Sequence, residues 1–272
     1  MATLSQNITQ AISDFNSIKT AIEDKGVTVP SGTPTSDYGA LIENISGGNS
    51  LFIDYMNNTN TSSFTSFVIP DGITKIKQYA FYNCYYLASV TIPSSVTFLD
   101  EYAFALCRGL SSVVIPNSVV RIGRYCFSNC DVLSSVTFSD NIISMNEYCF
   151  MYSGIVTANL PSRLASIGNA AFYNCGALKT LSIPSTLTYI TTSAFGYCSS
   201  LEFVTLANGF NCNNLNLSAS TLYSAATIVS WLNALADRTG LSAYTLTIGA
   251  TNLAKLTAEQ IAIATNKNWN LA

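Results

Sequence analysis

The stretch YAFYNCYYLASVTIP, Tyr79–Pro93, decides the fold, because the chain writes close copies of it five more times. EYAFALCRGLSSVVIP occupies Glu101–Pro116, and RYCFSNCDVLSSVTFS occupies Arg124–Ser139. EYCFMYSGIVTANLP ends at Pro161, NAAFYNCGALKTLSIP at Pro184 and SAFGYCSSLEFVTLA at Ala207. Phenylalanines mark the column: Phe81, Phe104, Phe127, Phe150, Phe172 and Phe195 lie 23, 23, 23, 22 and 23 residues apart. Self-similarity at a fixed period of this length signals a stacked repeat architecture.

Within a unit, LASVTIP reads as a strand. Val90 and Ile92 share one face, Ser89 and Thr91 the other, at the period of two that a pleated strand imposes. A proline closes the motif (Pro70, Pro93, Pro116, Pro161, Pro184), which suits a strand's end because proline has no backbone donor. The following segment, such as SSVTFLDEYAF, has apolar residues at Val96 and Leu99. It predicts a turn, a second short extended piece and one helical turn around Ala-Phe. A unit of about 23 residues cannot bury its own apolar face, so neighbours must stack at roughly the 4.8 Å strand spacing. The fourth unit is one residue short and carries Ser153 or its neighbour in place of cysteine. A loss in the bend leaves the strand register to recover at Leu160–Pro161.

The pattern AFxxCxxLxxVxIP, with intervening SVTxI-like segments, resembles the BspA-like leucine-rich repeats of bacterial and phage proteins over roughly residues 64–207. The resemblance implies an α/β repeat solenoid with a parallel β-sheet, serving as a binding or structural scaffold. Residues 50–207 are accordingly assigned to the solenoid. Residues 1–49 form an N-terminal helical segment for attachment or oligomerisation, and residues 208–272 an α/β C-terminal cap.

Composition excludes several functions. Only 10% of residues are charged while 49% are hydrophobic, and no apolar run reaches the roughly 18 residues that a membrane helix needs, so no membrane insertion is expected. A net charge of −3 and a pI near 4.8 argue against a nucleic-acid partner, which wants a basic stripe. The opening MATLSQNITQ lacks the basic and apolar regions of a secretory signal. The sequence therefore predicts a protein that acts where it is made or leaves the cell by another route. No histidine is present, which removes the commonest general base and a frequent metal ligand. The Asp100–Glu101 pair sits in a repeat turn, where a solvated face is its expected role, and no GxGxxG, P-loop or GxSxG motif occurs. Neither catalysis, nor a cofactor, nor a metal is expected.

Three columns are candidates for something more. Cys84, Cys107, Cys130, Cys175 and Cys198 share one position and Cys126 and Cys149 another, without the CxxC pairs of a metal site. Such a column suits small buried hydrophobes where leucine is too large, although disulfides between adjacent units are geometrically conceivable. Tyr79, Tyr102, Tyr125 and Tyr148 stand two residues before the first four phenylalanines and are expected to pack beside the core with their hydroxyls in water. A stripe of sugar-binding rings is the alternative. The better binding candidate is the outward face of the strands: Ser89, Thr91, Ser112, Val114, Ser135, Thr137, Thr157, Asn159, Thr180, Ser182, Phe203 and Thr205. These predict a flat, uncharged, hydroxyl-rich sheet, for which a plain solvated face is the competing explanation.

After Asn208 the period changes. A strand with Leu215 and Leu217 precedes a helical pattern of Ile228, Trp231, Leu232 and Leu235; YTLTIG (244–249), LTAEQIAIATNK and NWNLA follow. The simplest reading is strand, helix, strand, helix, strand, with the strands joining the same sheet through right-handed crossovers. Leu215/Leu217, Leu246/Ile248 and Trp269/Leu271 then continue the core ladder, and Thr257 with Gln260 fits a capping box.

At the other end, Met1, Ile8, Phe15 and Ile22 lie seven apart, with Leu4, Ala11 and Ile18 three residues later each time. Isoleucine-rich a and d positions favour trimers, so Leu4, Ile8, Phe15, Ile18 and Ile22 are candidate oligomerisation or attachment residues. Folding back onto SDYGALIENIS after VPSGTPT is the alternative, and SGGNS (46–50) reads as a flexible joint. The head IKTAIEDKGVTVPSGTPTSDYGALIENI resembles a helical segment at the start of phage tail and other minor structural proteins. NLAKLTAEQIAIATNKNWNLA is similar to the tail end of BspA-like proteins of phages and gut bacteria. These resemblances imply a phage virion protein of the tail or its fibres, assembled in the bacterial cytoplasm. Other virion proteins or copies of itself, as a homotrimer, are its expected partners, and host-surface glycan or protein its target. A bacterial BspA-like surface adhesin and a purely structural virion module are the rivals.

Deleting residues 1–46 should leave a folded solenoid that has lost its assembly, since an array held by nearest-neighbour stacking has little need of a remote helix. Light scattering on both forms checks this. A trimer reduced to a monomer is expected, and equal monomer masses would exclude self-association through the head.

Overall fold

The computed structural model describes residues 65–69 and 71–272. The N-terminal heptads, the SGGNS joint and the first residues assigned to the solenoid lie outside the described residues. Alternating apolar and polar residues give each coil two strands. The first set is three or four residues long: β1 Ser66–Val68, β3 Ser89–Thr91, β5 Ser112–Val114, β7 Ser135–Thr137, β9 Thr157–Asn159, β11 Thr180–Ile183 and β13 Phe203–Leu206. The second set has two residues each: β2 Lys75–Ile76, β4 Phe98–Leu99, β6 Arg121–Ile122, β8 Ser144–Met145, β10 Ser166–Ile167 and β12 Tyr189–Ile190.

The second set forms a six-stranded sheet in the order β12-β10-β8-β6-β4-β2. The first set forms β13-β11-β9-β7-β5 and, separately, β1-β3, joined where the Ser111 N–H donates to the Ala88 carbonyl at 3.3 Å. Among the described residues the strand pairings are parallel and in register, as in Ser112↔Ser135 and Leu99↔Ile122.

The third side of each coil differs from the sequence expectation. The Ala-Phe segment is a run of reverse turns, not a helical turn, and in the first five units the residues two before and two after the phenylalanine take left-handed backbone, while in the sixth Tyr197 alone does. Tyr79 (φ 62°) and Asn83 (63°) flank Phe81, and Tyr125 and Asn129 (both 55°) flank Phe127. The reason lies in the neighbouring coil. In the first unit, the Ala80, Tyr82 and Cys84 N–H groups close turns onto Lys77, Tyr79 and Phe81, while those of Tyr79, Phe81 and Asn83 donate to Glu101, Ala103 and Ala105 of the next coil. Alternate donors thus build a third inter-coil ladder, which a helix cannot do because its N–H groups point along its own axis. Asparagine suits the second left-handed position, where a bulky residue is disfavoured by roughly 1–2 kcal/mol.

Inside, the six phenylalanines are at most 1% exposed and stack with centroids 4.9, 5.1, 5.3, 5.3 and 5.3 Å apart. The residue missing from the fourth unit falls in the turn at Ser153–Ile155, where Cys-x-x-Leu contracts to Ser-Gly-Ile. There the Gly154 N–H donates to Cys130 O at 3.0 Å, and a Cβ would lie 2.3 Å from Asp131 O. Only glycine fits that bend. The strand register then resumes at Thr157↔Thr180.

The cap contains β14 Leu215–Asn216, β15 Tyr244–Thr247 and β16 Trp269–Leu271, with helices α1 Ala225–Ala234, α2 Ala250–Leu253 and α3 Ala258–Thr265. Its strands form their own parallel sheet, β14-β15-β16, and do not extend a repeat sheet as the sequence predicts. Helix α1 occupies the edge of β13 that an eighth strand of the first set would use. The Trp231 Nε1–H donates to Val204 O at 2.7 Å, and the Gly209 and Phe210 N–H groups both donate to Ala234 O. The core column itself continues, with Leu215, Leu217, Leu246, Ile248 and Trp269 buried and Leu271 packed against them. The Thr257–Gln260 capping box opens α3. Lys267 Nζ closes α1, donating to the Leu232, Asn233 and Leu235 carbonyls at 3.1, 2.7 and 2.9 Å, a favourable place for a cation.

Replacing Phe127 with alanine should destabilise the protein by about 3–5 kcal/mol, the usual effect of truncating a core phenylalanine. Urea denaturation measures it, and an unchanged midpoint would contradict the stacked core.

Candidate functional site

Strand register gathers the twelve outward residues into two rows. One runs Ser89, Ser112, Ser135, Thr157, Thr180, Phe203 and the other Thr91, Val114, Thr137, Asn159, Ser182, Thr205, with Ser135↔Thr157, Thr180↔Phe203 and Ser182↔Thr205 as direct partners. Ser66 and Val68 extend both rows by one coil through Ser66↔Ser89 and Val68↔Thr91. The sequence signal for that extra coil is the strand ending FVIP, which the missing Ala-Phe-Cys motif obscures. Thr180 and Ser182 are half-buried and the other ten predicted residues are exposed. Val68, Val114 and Phe203 are 70%, 62% and 57% exposed. Neither row contains a charged side chain. The face therefore offers short hydroxyls, methyls and one aromatic ring at regular intervals; Ser182 and Thr205, neighbours within one row, are hydrogen-bonded to each other at 2.7 Å. Its chemistry suits contact with a neutral surface.

The tyrosine column packs beside the core as expected. Tyr79, Tyr102, Tyr125 and Tyr148 stack with centroids 5.0, 4.7 and 4.6 Å apart and interplanar angles of 18°, 11° and 7°. Tyr102 and Tyr125 are therefore covered on both faces by tyrosine, which leaves them no ring face for a sugar. Burial, then the neighbouring Tyr125 and Tyr79, raises the Tyr102 hydroxyl above its ordinary pKa.

All eight cysteines are free and buried. The column does more than fill space: Cys107, Cys130, Cys175 and Cys198 donate their thiols to the carbonyls of Phe81, Phe104, Phe150 and Phe172 in the preceding coil, at 3.1–3.2 Å. Ser153 keeps a hydroxyl at the same position, 3.3 Å from the Cys175 sulfur. Nothing in the sequence distinguishes this donor role from simple packing, because the acceptor lies on another coil. Burial pushes the Cys126, Cys130 and Cys149 thiols well above their ordinary pKa and that of Cys212 to about 11. Since the thiolate is the reactive form, these sulfurs are protected. Among the described residues, no three of Cys, Asp or Glu converge as metal ligands.

The model of the BspA type leucine rich repeat region matches six copies in the chain, over residues 54–175 and 99–228. The chain belongs to the BspA-type leucine-rich repeat family. A solved leucine-rich repeat protein of T. pallidum (TpLRR) is similar, with a TM-score of 0.53 and 19% identity over 73% of this chain and 89% of that one. A leucine rich cell surface protein from Faecalibacterium prausnitzii A2-165 aligns with a TM-score of 0.38 and 20% identity, over 76% of this chain and 78% of its own. No curated protein is significantly similar in sequence. At such identities the likeness concerns the fold. The BspA-type coil accounts for the recurring phenylalanine, cysteine and leucine columns, and leaves the two outward rows free to vary from coil to coil. Among the described residues, no helix is long and apolar enough to cross a membrane.

Titration with a thiol reagent near neutral pH should count few sulfurs in the native protein and all eight once it is unfolded under non-reducing conditions. Failure to react when unfolded would mean disulfides.

Proposed function

We propose that this BspA-type protein is a non-enzymatic scaffold whose two outward rows dock an uncharged partner, a host-surface glycan or protein, while residues 1–49 tie the solenoid into a larger assembly. The observation that carries the reading is the company of Val68, Val114 and Phe203, each more than half exposed, with hydroxyls in two straight rows free of charge. Large side chains held in water on a rigid face gain by being covered. A face without charge owes little to electrostatic steering, so binding should depend weakly on salt.

The assembly is read as a phage virion, at the tail or its fibres. The support is the resemblance of residues 18–45 to the start of phage tail and other minor structural proteins, and of residues 252–272 to the tail end of BspA-like proteins of phages and gut bacteria. A bacterial surface adhesin would use the same docking face and differ in what residues 1–49 attach to.

The experiment applies the full chain to a glycan array and to whole bacterial cells. Binding that persists at high salt is expected. Val114→Arg and Phe203→Glu should each abolish it while changing stability by no more than about 0.5 kcal/mol, as exposed substitutions do. Retention of binding in both variants would locate the docking surface elsewhere.

A further inference from the structure

The inter-coil ladders do not all end alike. On the strand side the cap supplies partners, with Trp231 Nε1 donating to Val204 O and the Ser220 hydroxyl to Leu201 O at 2.6 Å. On the turn side it does not. In the earlier units the phenylalanine N–H and the N–H two residues beyond both donate to the next coil: Phe150 to Ala171 at 2.8 Å, Tyr152 to Tyr173 at 2.9 Å, Phe172 to Ala194 at 2.8 Å and Asn174 to Gly196 at 2.7 Å. The sixth unit has no following coil, because the chain leaves the repeat path. The N–H groups of Phe195 and Tyr197 have no acceptor among the described residues.

On the side where a seventh coil would stack lies an open cavity of about 460 Å³ between the last coil and the cap, a volume within the range of small-molecule sites. Phe195, Tyr197, Asn174, Ser199, Asn216 and Ser218 line it, so its walls carry amides, hydroxyls and no charged side chain. Ser218 donates to Asn216 Oδ1 through its N–H at 3.0 Å and its hydroxyl at 2.7 Å, which fixes the cap wall. The Asn216 amide nitrogen has no acceptor among the described residues. The Tyr197 ring is 65% exposed and meets Tyr173 edge to face at 5.0 Å, unlike the stacked tyrosines of the column.

We propose that this cavity binds one neutral pyranose, a hexose or N-acetylhexosamine unit. A hydroxyl or acetamido oxygen takes the place of the peptide carbonyls that accept these N–H groups in the other coils. Asn174, Ser199 and Asn216 supply donors and acceptors for the remaining hydroxyls. Tyr197 offers its ring to the apolar C–H face of the sugar. An ionic ligand finds no counter-charge here. A peptide mimicking a seventh coil would use the two N–H groups but has no need of the amide walls or of Tyr197. The site is separate from the outward rows, so its test does not depend on theirs.

The test titrates the ¹⁵N-labelled full chain with glucose, galactose and N-acetylglucosamine, and with glucuronate and a blocked tripeptide as contrasting probes. The Phe195 and Tyr197 amide resonances should shift with at least one neutral sugar, at a Kd of about 1 mM or tighter. The Phe127 and Asn129 amides, paired inside the array, should stay unmoved. Tyr197→Ala, an exposed substitution, should weaken binding about tenfold with Tm unchanged. Ala219→Trp, placed at the cavity wall, should abolish binding. Silence with all three sugars, a response to the tripeptide or glucuronate alone, or full binding by Tyr197→Ala overturns the proposal.

Discussion

Each coil finds the partners for its backbone polar groups in the coils above and below, at a rise of roughly 4.8 Å. That spacing governs the rest. It sets the phenylalanine rings 4.9–5.3 Å apart and the tyrosine rings 4.6–5.0 Å apart, which is a favourable distance for aromatic pairs. It brings Cys107, Cys130, Cys175 and Cys198 under a phenylalanine carbonyl of the preceding coil, so the position suits a side chain that is both small and a donor. It also aligns charges into inter-coil pairs, Lys75 with Asp100 at 2.7 Å and Arg124 with Glu147 at 3.2 Å. Those pairs are largely solvated and add little to stability.

A coil built this way separates two kinds of information. Positions facing inward must satisfy the same ladder in every unit and therefore repeat. Positions facing outward on β1, β3, β5, β7, β9, β11 and β13 satisfy the ladder through backbone alone, which leaves the side chain free. Ser112 and Phe203 occupy the same row with no change in the pairing beneath them. Side-chain chemistry can differ from coil to coil there because nothing structural competes for those positions.

How much of this was legible in the sequence depends on whether the deciding contact was local. The period, the buried Phe and Leu columns, the outward alternation of Ser89 and Thr91 and the Thr257–Gln260 box are local patterns, and each is found where the sequence puts it. The Ala-Phe turn is different. Ala and Phe with a polar neighbour pass for a helical turn until the carbonyls of the next coil are in place to draw out alternate N–H groups. The cap's separate sheet depends on Trp231 reaching Val204 O, a pairing 27 residues apart that no short window contains. The open end of the turn ladder is invisible for the same reason, since Phe195 and Tyr197 look like their counterparts in every earlier unit.

The cap grips the array through the array's main-chain carbonyls: Trp231 of helix α1 donates to that of Val204, and the Ser220 hydroxyl, in the segment before the helix, to that of Leu201. Every coil presents equivalent carbonyls at its strand side, so the lid is indifferent to which copy happens to be last. Array length is thereby uncoupled from the design of its end. A coil added or removed would change the length of the outward face in single-coil steps without rebuilding the terminus.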